Sequence, residues 1–183
     1  MEFDVGMFTG SLLSGTNEVS LDVKGRLSIP ARFKDFLQDD SDIQCVVTRA
    51  LFDKCLWLYP VDEWQEVVAS LGALPSMTDP LRRSIQRTVL GSAVFCTLDS
   101  QGRILLPQEL RKVASLNKKA FLIGFNNKFE LWSEENFIAQ READDAMLQE
   151  LQSKANSHPV LSTLKLKGRL WHFRIFQYNL TNA

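Results

Sequence analysis

Leu21-Asp22-Val23-Lys24-Gly25-Arg26-Leu27-Ser28-Ile29-Pro30 returns 77 residues later as Leu98-Asp99-Ser100-Gln101-Gly102-Arg103-Ile104-Leu105-Leu106-Pro107. Leu, Asp, Gly, Arg and Pro keep their offsets, and the apolar positions keep their alternation. A second correspondence follows in the same order at an offset of 73: Leu56-Trp57-Leu58-Tyr59-Pro60-Val61-Asp62-Glu63-Trp64 against Phe129-Glu130-Leu131-Trp132-Ser133-Glu134-Glu135-Asn136-Phe137. The difference places about four surplus residues in the first copy, expected in the polar loop Gln38-Asp39-Asp40-Ser41-Asp42. A period this long exceeds a solenoid unit and suits a duplicated half-domain.

The repeated stretch dictates its own local structure. Asn17 to Leu21 and Leu27 to Ile29 alternate apolar and polar residues, which predicts two strands. Asp22 opens a type I turn with its carboxylate accepting backbone N–H groups, and Gly25 takes the positive φ that leads into a bulge. Asp99 and Gly102 do the same in the second copy. Pro30 and Pro107 stop their strands and start short helices over Ala31–Leu37 and Pro107–Ala114. Each copy continues with two strands, Gln44–Thr48 and Cys55–Leu58 in the first, Ala120–Gly124 and Lys128–Trp132 in the second, and then a helix. Between the copies, Thr78-Asp79-Pro80 opens a helix with Leu81, Ile85 and Val89 inward and Arg82, Arg83 and Arg87 projecting elsewhere. The last helix starts at a Ser133 cap with Glu134 and Glu135 suited to its dipole, and runs to about Ala155 with Phe137, Met147 and Leu151 as contacts.

At 183 residues, 45% hydrophobic and 23% charged, the chain is a folded protein rather than a disordered one. No apolar run reaches the ~18–20 residues that cross a membrane, and no signal-peptide pattern opens the chain; a cytoplasmic location is expected. Cys45, Cys55 and Cys96 lack CxxC spacing and sit among apolar neighbours, so buried free thiols are expected, with no metal. The net charge of −1 conceals a division: Ser133 to Glu150 carries a local −5, leaving +4 elsewhere. A phosphate backbone meets the local value. Catalysis finds no support. His158 and His172 lie in an unpatterned tail, and no P-loop, nucleophile elbow, HExxH or dinucleotide fingerprint is present.

Arg26 and Arg103 admit two readings. Each pairs with its own Asp and pins a hairpin, or the Asp fixes the turn and leaves a guanidinium presented for bidentate bonding to phosphate or guanine. Lys24 makes the first copy more basic than the second, which has Gln101 at that place. Arg32 and Lys34 could extend the first basic stripe, and Arg111 with Lys112 the second, although a solvated helix face explains each of these as well. Arg82, Arg83 and Arg87 form either an exposed helix face or an inter-repeat or inter-subunit clamp. Trp64, Trp132 and Trp171 read as core anchors, and Trp57 alternates outward from Leu56 and Leu58.

At the signature the resemblance becomes specific. Met7-Phe8-Thr9-Gly10 and Leu21 to Pro30 are followed by Leu58-Tyr59-Pro60 with Trp64, then Asp79-Pro80-Leu81-Arg82-Arg83 with Arg87 and Gly91. Leu98 to Pro107 and Phe125-Asn126-Asn127-Lys128-Phe129-Glu130-Leu131-Trp132 complete the set. Over roughly residues 7–164 the chain resembles the MraZ family of bacterial transcriptional regulators. The resemblance implies a mainly β fold with helices: two tandem SpoVT-AbrB swapped-hairpin, barrel-like half-domains with pseudo-two-fold symmetry. It implies ring homo-oligomers, commonly octamers, that associate with the nucleoid. These bind tandem promoter repeats of the division and cell-wall gene cluster, repressing it and the protein's own gene. Residue by residue, the signature falls on Asp22/Arg26 and Asp99/Arg103, with Arg26 and neighbouring Lys24 the favoured DNA contact.

The expected organisation is an extension over residues 1–6, one domain over 7–77, a basic connecting helix over 78–92, a second domain with its helix over 93–155, and a tail over 156–183 without a counterpart in either repeat. Double-stranded DNA and further copies of the chain are the expected partners, with no cofactor, membrane or small-molecule substrate. The competing reading is a non-catalytic protein-interaction or assembly module, or an antitoxin-like partner.

Overall fold

The computed structural model describes residues 13–34, 36–37, 44–73 and 79–153. These divide into one unit ending at Gln140 and another starting at Arg141. Among the described residues, eight strands and five helices alternate in two matching series. The first is β1 (Leu13–Ser20), β2 (Arg26–Ser28), α1 (Ala31–Lys34), β3 (Gln44–Arg49), β4 (Leu56–Pro60) and α2 (Val61–Gly72). After α3 (Pro80–Val89) comes the second: β5 (Val94–Thr97), β6 (Arg103–Leu105), α4 (Gln108–Val113), β7 (Lys119–Asn126), β8 (Lys128–Ser133) and α5 (Glu134–Ser153). The strands expected from alternation are all present; β1 and β7 are each three residues longer than expected, and the other four lie within two residues of the expected bounds. The polar loop expected to hold the surplus residues, the N-terminal extension and the tail lie outside the described residues.

Six strands form one antiparallel sheet in the order β1-β7-β8-β4-β3-β5, and β2 pairs with β6 in a separate two-stranded ribbon. The six-stranded sheet is open, with β1 and β5 at its edges. Each copy's first strand therefore pairs in the other copy: β1 lies on β7 and β5 lies on β3. Both registers are centred on equivalent residues. In the sheet, Leu56↔Leu131, Trp57↔Glu130 and Leu58↔Phe129 pair about the Trp57–Glu130 match. In the ribbon, Arg26↔Leu105, Leu27↔Ile104 and Ser28↔Arg103 pair about Leu27 and Ile104. The sequence duplication has become a local two-fold.

The main core lies where the two copies meet. Leu27, Ile104, Leu56, Leu58, Leu122, Phe129 and Leu131 are all 0% exposed and belong to one cluster. Phe33 of α1 meets Phe129 of β8 edge-on, with ring centroids 4.7 Å apart. A second cluster joins Val46, Tyr59, Trp64 and Val89. There the buried Thr48 hydroxyl lies 2.5 Å from the Val89 carbonyl and 2.9 Å from Ser92 Oγ. Asp79 caps α3 by accepting from the Leu81 and Arg82 amides, as its position before Pro80 suggests. Of its expected inward residues only Val89 is buried. Leu81 is 68% exposed, because the first turn of α3 lies beyond the core. Ser133 Oγ accepts from the Asn136 amide at the start of α5, and Phe137 stacks on Phe121 at 4.5 Å. Met147, expected as a contact, is 62% exposed.

Candidate nucleic-acid interface

Each hairpin tip is built by one aspartate doing two jobs. Asp22 Oδ1 accepts the amides of Lys24 and Arg26 at 2.9 Å, while Oδ2 accepts Arg26 Nε at 2.6 Å. The Gly25 amide donates to the Asp22 carbonyl, and Gly25 sits at φ +81°, the left-handed geometry that the turn requires. The second tip repeats this. Asp99 Oδ1 accepts from the amides of Gln101 and Arg103, and Gly102 has φ +72°. Arg103 is held more tightly, because both Nε (2.9 Å) and a terminal nitrogen (2.7 Å) donate to Asp99 Oδ2. Among the described residues, Arg26 spends only Nε on its carboxylate. Its side chain is 33% exposed against 21% for Arg103.

Both carboxyls are held below the usual carboxylate range, by causes that differ in order. For Asp99 the side-chain hydrogen bond from Arg103 dominates and brings it to about 2. For Asp22 the backbone N–H of Arg26 is the largest influence. The geometry thus shows the pairing reading, with each turn pinned by its Asp–Arg pair, and leaves Arg26 with donor capacity beyond its carboxylate.

The ribbon decides which way these groups face. Leu27 and Ile104 point into the core, so by alternation Arg26, Ser28, Arg103 and Leu105 share the outward face. Leu105 is 60% exposed there, and Val23 at the first tip is fully exposed. A two-stranded antiparallel ribbon with donors on one face is an element that a major groove, about 12 Å wide, admits.

The remaining basic residues are distributed across the copies. A Cβ on Gly25 would fall 2.6–2.9 Å from the guanidinium of Arg111, which comes from α4 of the second copy and donates to the Leu106 carbonyl at 3.1 Å. A Cβ on Gly102 would collide with the Lys34 ammonium, from α1 of the first copy. Backbone bonds cross in the same sense, Ile29 N–H to Gly102 O and Leu106 N–H to Gly25 O, both at 3.0 Å. The first tip therefore gathers Lys24, Arg26 and Arg111, and the second Arg103 and Lys34 beside Gln101. Lys34 does not extend the first stripe, nor Arg111 the second, because the strand exchange carries each helix to the opposite turn. Arg32 joins neither tip: its guanidinium lies against Gly15 of β1 and over the Phe33 ring. Arg111 at the first tip was missed because sequence adjacency assigns it to its own copy.

The connecting helix holds its arginines differently. Arg82 Nε pairs with Asp79 at 3.0 Å, which ties it to its own helix cap. Arg83 is also partnered, and Arg87 lies in the last turn of α3. Trp57 is half-buried, with Lys128 5.0 Å from its ring centre and Tyr59 edge-on. Asp53, Cys55 and Glu130 bring one thiol and two carboxylates within 4.8 Å, a donor set chemically able to take a metal ion. The Glu130 carboxylate already faces the Lys128 ammonium at 3.9 Å and accepts from the Trp132 indole at 3.2 Å.

The family model described as "MraZ protein, putative antitoxin-like" matches the chain twice, over residues 12–88 and 89–157. A protein of Pseudomonas putida (strain GB-1) named transcriptional regulator MraZ is 46% identical over 139 residues, covering 76% of this chain and 91% of the relative. Relatives of the same name in Pseudomonas fluorescens strains Pf0-1 and SBW25 are 45% and 44% identical over the same shares. No helix among the described residues is long and apolar enough to cross a membrane. With both copies matched and nearly half of the aligned residues shared with these relatives, the chain belongs to the MraZ family.

Proposed function

We propose that the chain is a non-catalytic transcriptional regulator that binds promoter DNA through the outward face of the β2–β6 ribbon. The observation that carries this reading is the first tip, where Lys24, Arg26 and Arg111 converge on one exposed turn. Arg26 supplies the principal base or phosphate contact, Lys24 and Arg111 add phosphate contacts, and Arg103 with Lys34 forms a weaker second tip. We read the β1 and β5 exchange as supporting the swapped-hairpin form of the SpoVT-AbrB module.

One ribbon carries few charges against screened DNA, so affinity comes from repetition. A ring of copies, an octamer by resemblance, sets ribbons on tandem repeats, and linked contacts raise avidity by ~10²–10⁴ where the spacing permits. The target is the promoter of the division and cell-wall cluster, which includes the protein's own gene. The chain represses that promoter and associates with the nucleoid.

The test is binding of the purified chain to a duplex carrying the DNA upstream of its own gene, titrated with salt and paired with a native mass measurement. The reading predicts specific binding by a ring-sized species and log affinity falling linearly with log salt. Replacing Lys24 by Ala should reduce that slope by about 1 or more. Absence of binding at low salt would instead favour an assembly module contacting protein partners.

A further inference from the structure

Cys45 and Cys96 are directly opposed on β3 and β5, one from each copy. Opposed residues of an antiparallel pair project from the same face, and both side chains join the same core cluster. Their Cα atoms stand about 4.5 or 5.5 Å apart by ladder geometry, and both values fall inside the roughly 4.4–6.8 Å that disulfides span. We propose that Cys45 and Cys96 are a redox modification site: a cross-strand dithiol that closes to a disulfide and locks the two copies together covalently. In the structure both thiols are reduced.

The position gives the bond a consequence. β5 is an edge strand of four residues whose strand partner is β3. Two residues beyond it stands Asp99, the base of the second hairpin. The bond would fix that hairpin's root to the first copy, while β1 and the first hairpin stay unlinked. Cys55 provides an internal control. It belongs to a different cluster, beside Trp132, and its polar neighbours are the Asp53 and Glu130 carboxylates rather than a second thiol.

The chemistry balances with hydrogen peroxide as oxidant. The Cys96 thiolate attacks a peroxide oxygen, the other oxygen leaves as water after taking a proton, and a sulfenic acid forms. Cys45 sulfur then displaces that hydroxyl as a second water, forming the S–S bond. Two thiols lose two protons and two electrons, and the peroxide is reduced to two waters. Burial pushes both thiols up, Cys96 to about 11, so reaction proceeds through opening of the edge strand and is slow.

The full-length chain would be treated with hydrogen peroxide and, separately, with diamide. It would then be alkylated in denaturant and read by intact mass and peptide mapping. The proposal predicts a Cys45–Cys96 linked peptide, one alkylated cysteine, Cys55, and a thermal midpoint raised by about 5–15 °C. Cys55→Ala should keep the link, while Cys45→Ala and Cys96→Ala should each abolish it. Three alkylated thiols after either oxidant, or a link through Cys55, would overturn it.

Discussion

At the scale of single residues, the two aspartates look alike but should titrate differently when their arginines are removed. Asp99 stands at about 2 against an ordinary 3.8, mainly because Arg103 bonds its side chain. Arg103→Ala should therefore remove the largest cause and raise Asp99 clearly, with the Gln101 and Arg103 amides still holding it below 3.8, while Arg26→Ala should move Asp22 less, because the Arg26 amide is its largest cause. Carboxyl-carbon NMR titration reads both. The sign for stability follows from linkage. The folded value lies below the unfolded one, so the contribution of Asp99 is complete above about pH 4 and is lost as pH falls towards 2. The second hairpin should loosen in that window, and equal hairpin stability at pH 2 and pH 5 would contradict the clamp. The roles of Asp22, Gly25 and Arg26 were legible because a turn is chemistry within five residues. The places of Lys34 and Arg111 were not, since each meets a glycine of the other copy.

At the scale of elements, the turn glycines and one buried hydroxyl are the sensitive points. Gly25→Ala forces a Cβ into the Arg111 guanidinium at a positive φ, so it should destabilise by at least ~1 kcal/mol and weaken DNA binding by displacing Arg111. Gly25→Asn, which tolerates that φ better, should recover part of the stability lost. Thr48→Val conserves shape but strips the Val89 carbonyl and Ser92 of their buried partner. It should cost about 1–3 kcal/mol in denaturant unfolding. Strands and their order along the chain were readable from alternation and punctuation. Their pairing was not, because β1 reads identically whether it lies on β3 or on β7. The α3 face shows the opposite limit: Leu81 keeps the helical period yet lies exposed, since periodicity marks a face without saying how far the core extends.

At the scale of the molecule, duplication and exchange together make one ribbon from two halves, with registers centred on Leu27–Ile104 and Trp57–Glu130. Neither half can bury Leu27 or Ile104 alone, so the copies should unfold as one cooperative transition. Phe129→Ala, at the Phe33 contact in the shared core, should lower that single transition by about 3–5 kcal/mol rather than split it. Under the proposed function, the departure from symmetry carries the DNA contact: three cations at the first tip, and a doubly tied arginine at the second. The most direct test is a fluorescence-anisotropy titration of a labelled duplex carrying the upstream repeats, comparing wild type, Arg26→Ala and Arg103→Ala, with native mass recorded for each. One lost contact of ~1–3 kcal/mol, multiplied over linked sites, predicts a loss above about 100-fold for Arg26→Ala and below about 10-fold for Arg103→Ala, with unchanged assemblies. Wild-type affinity in Arg26→Ala, or equal losses in the two variants, would contradict it.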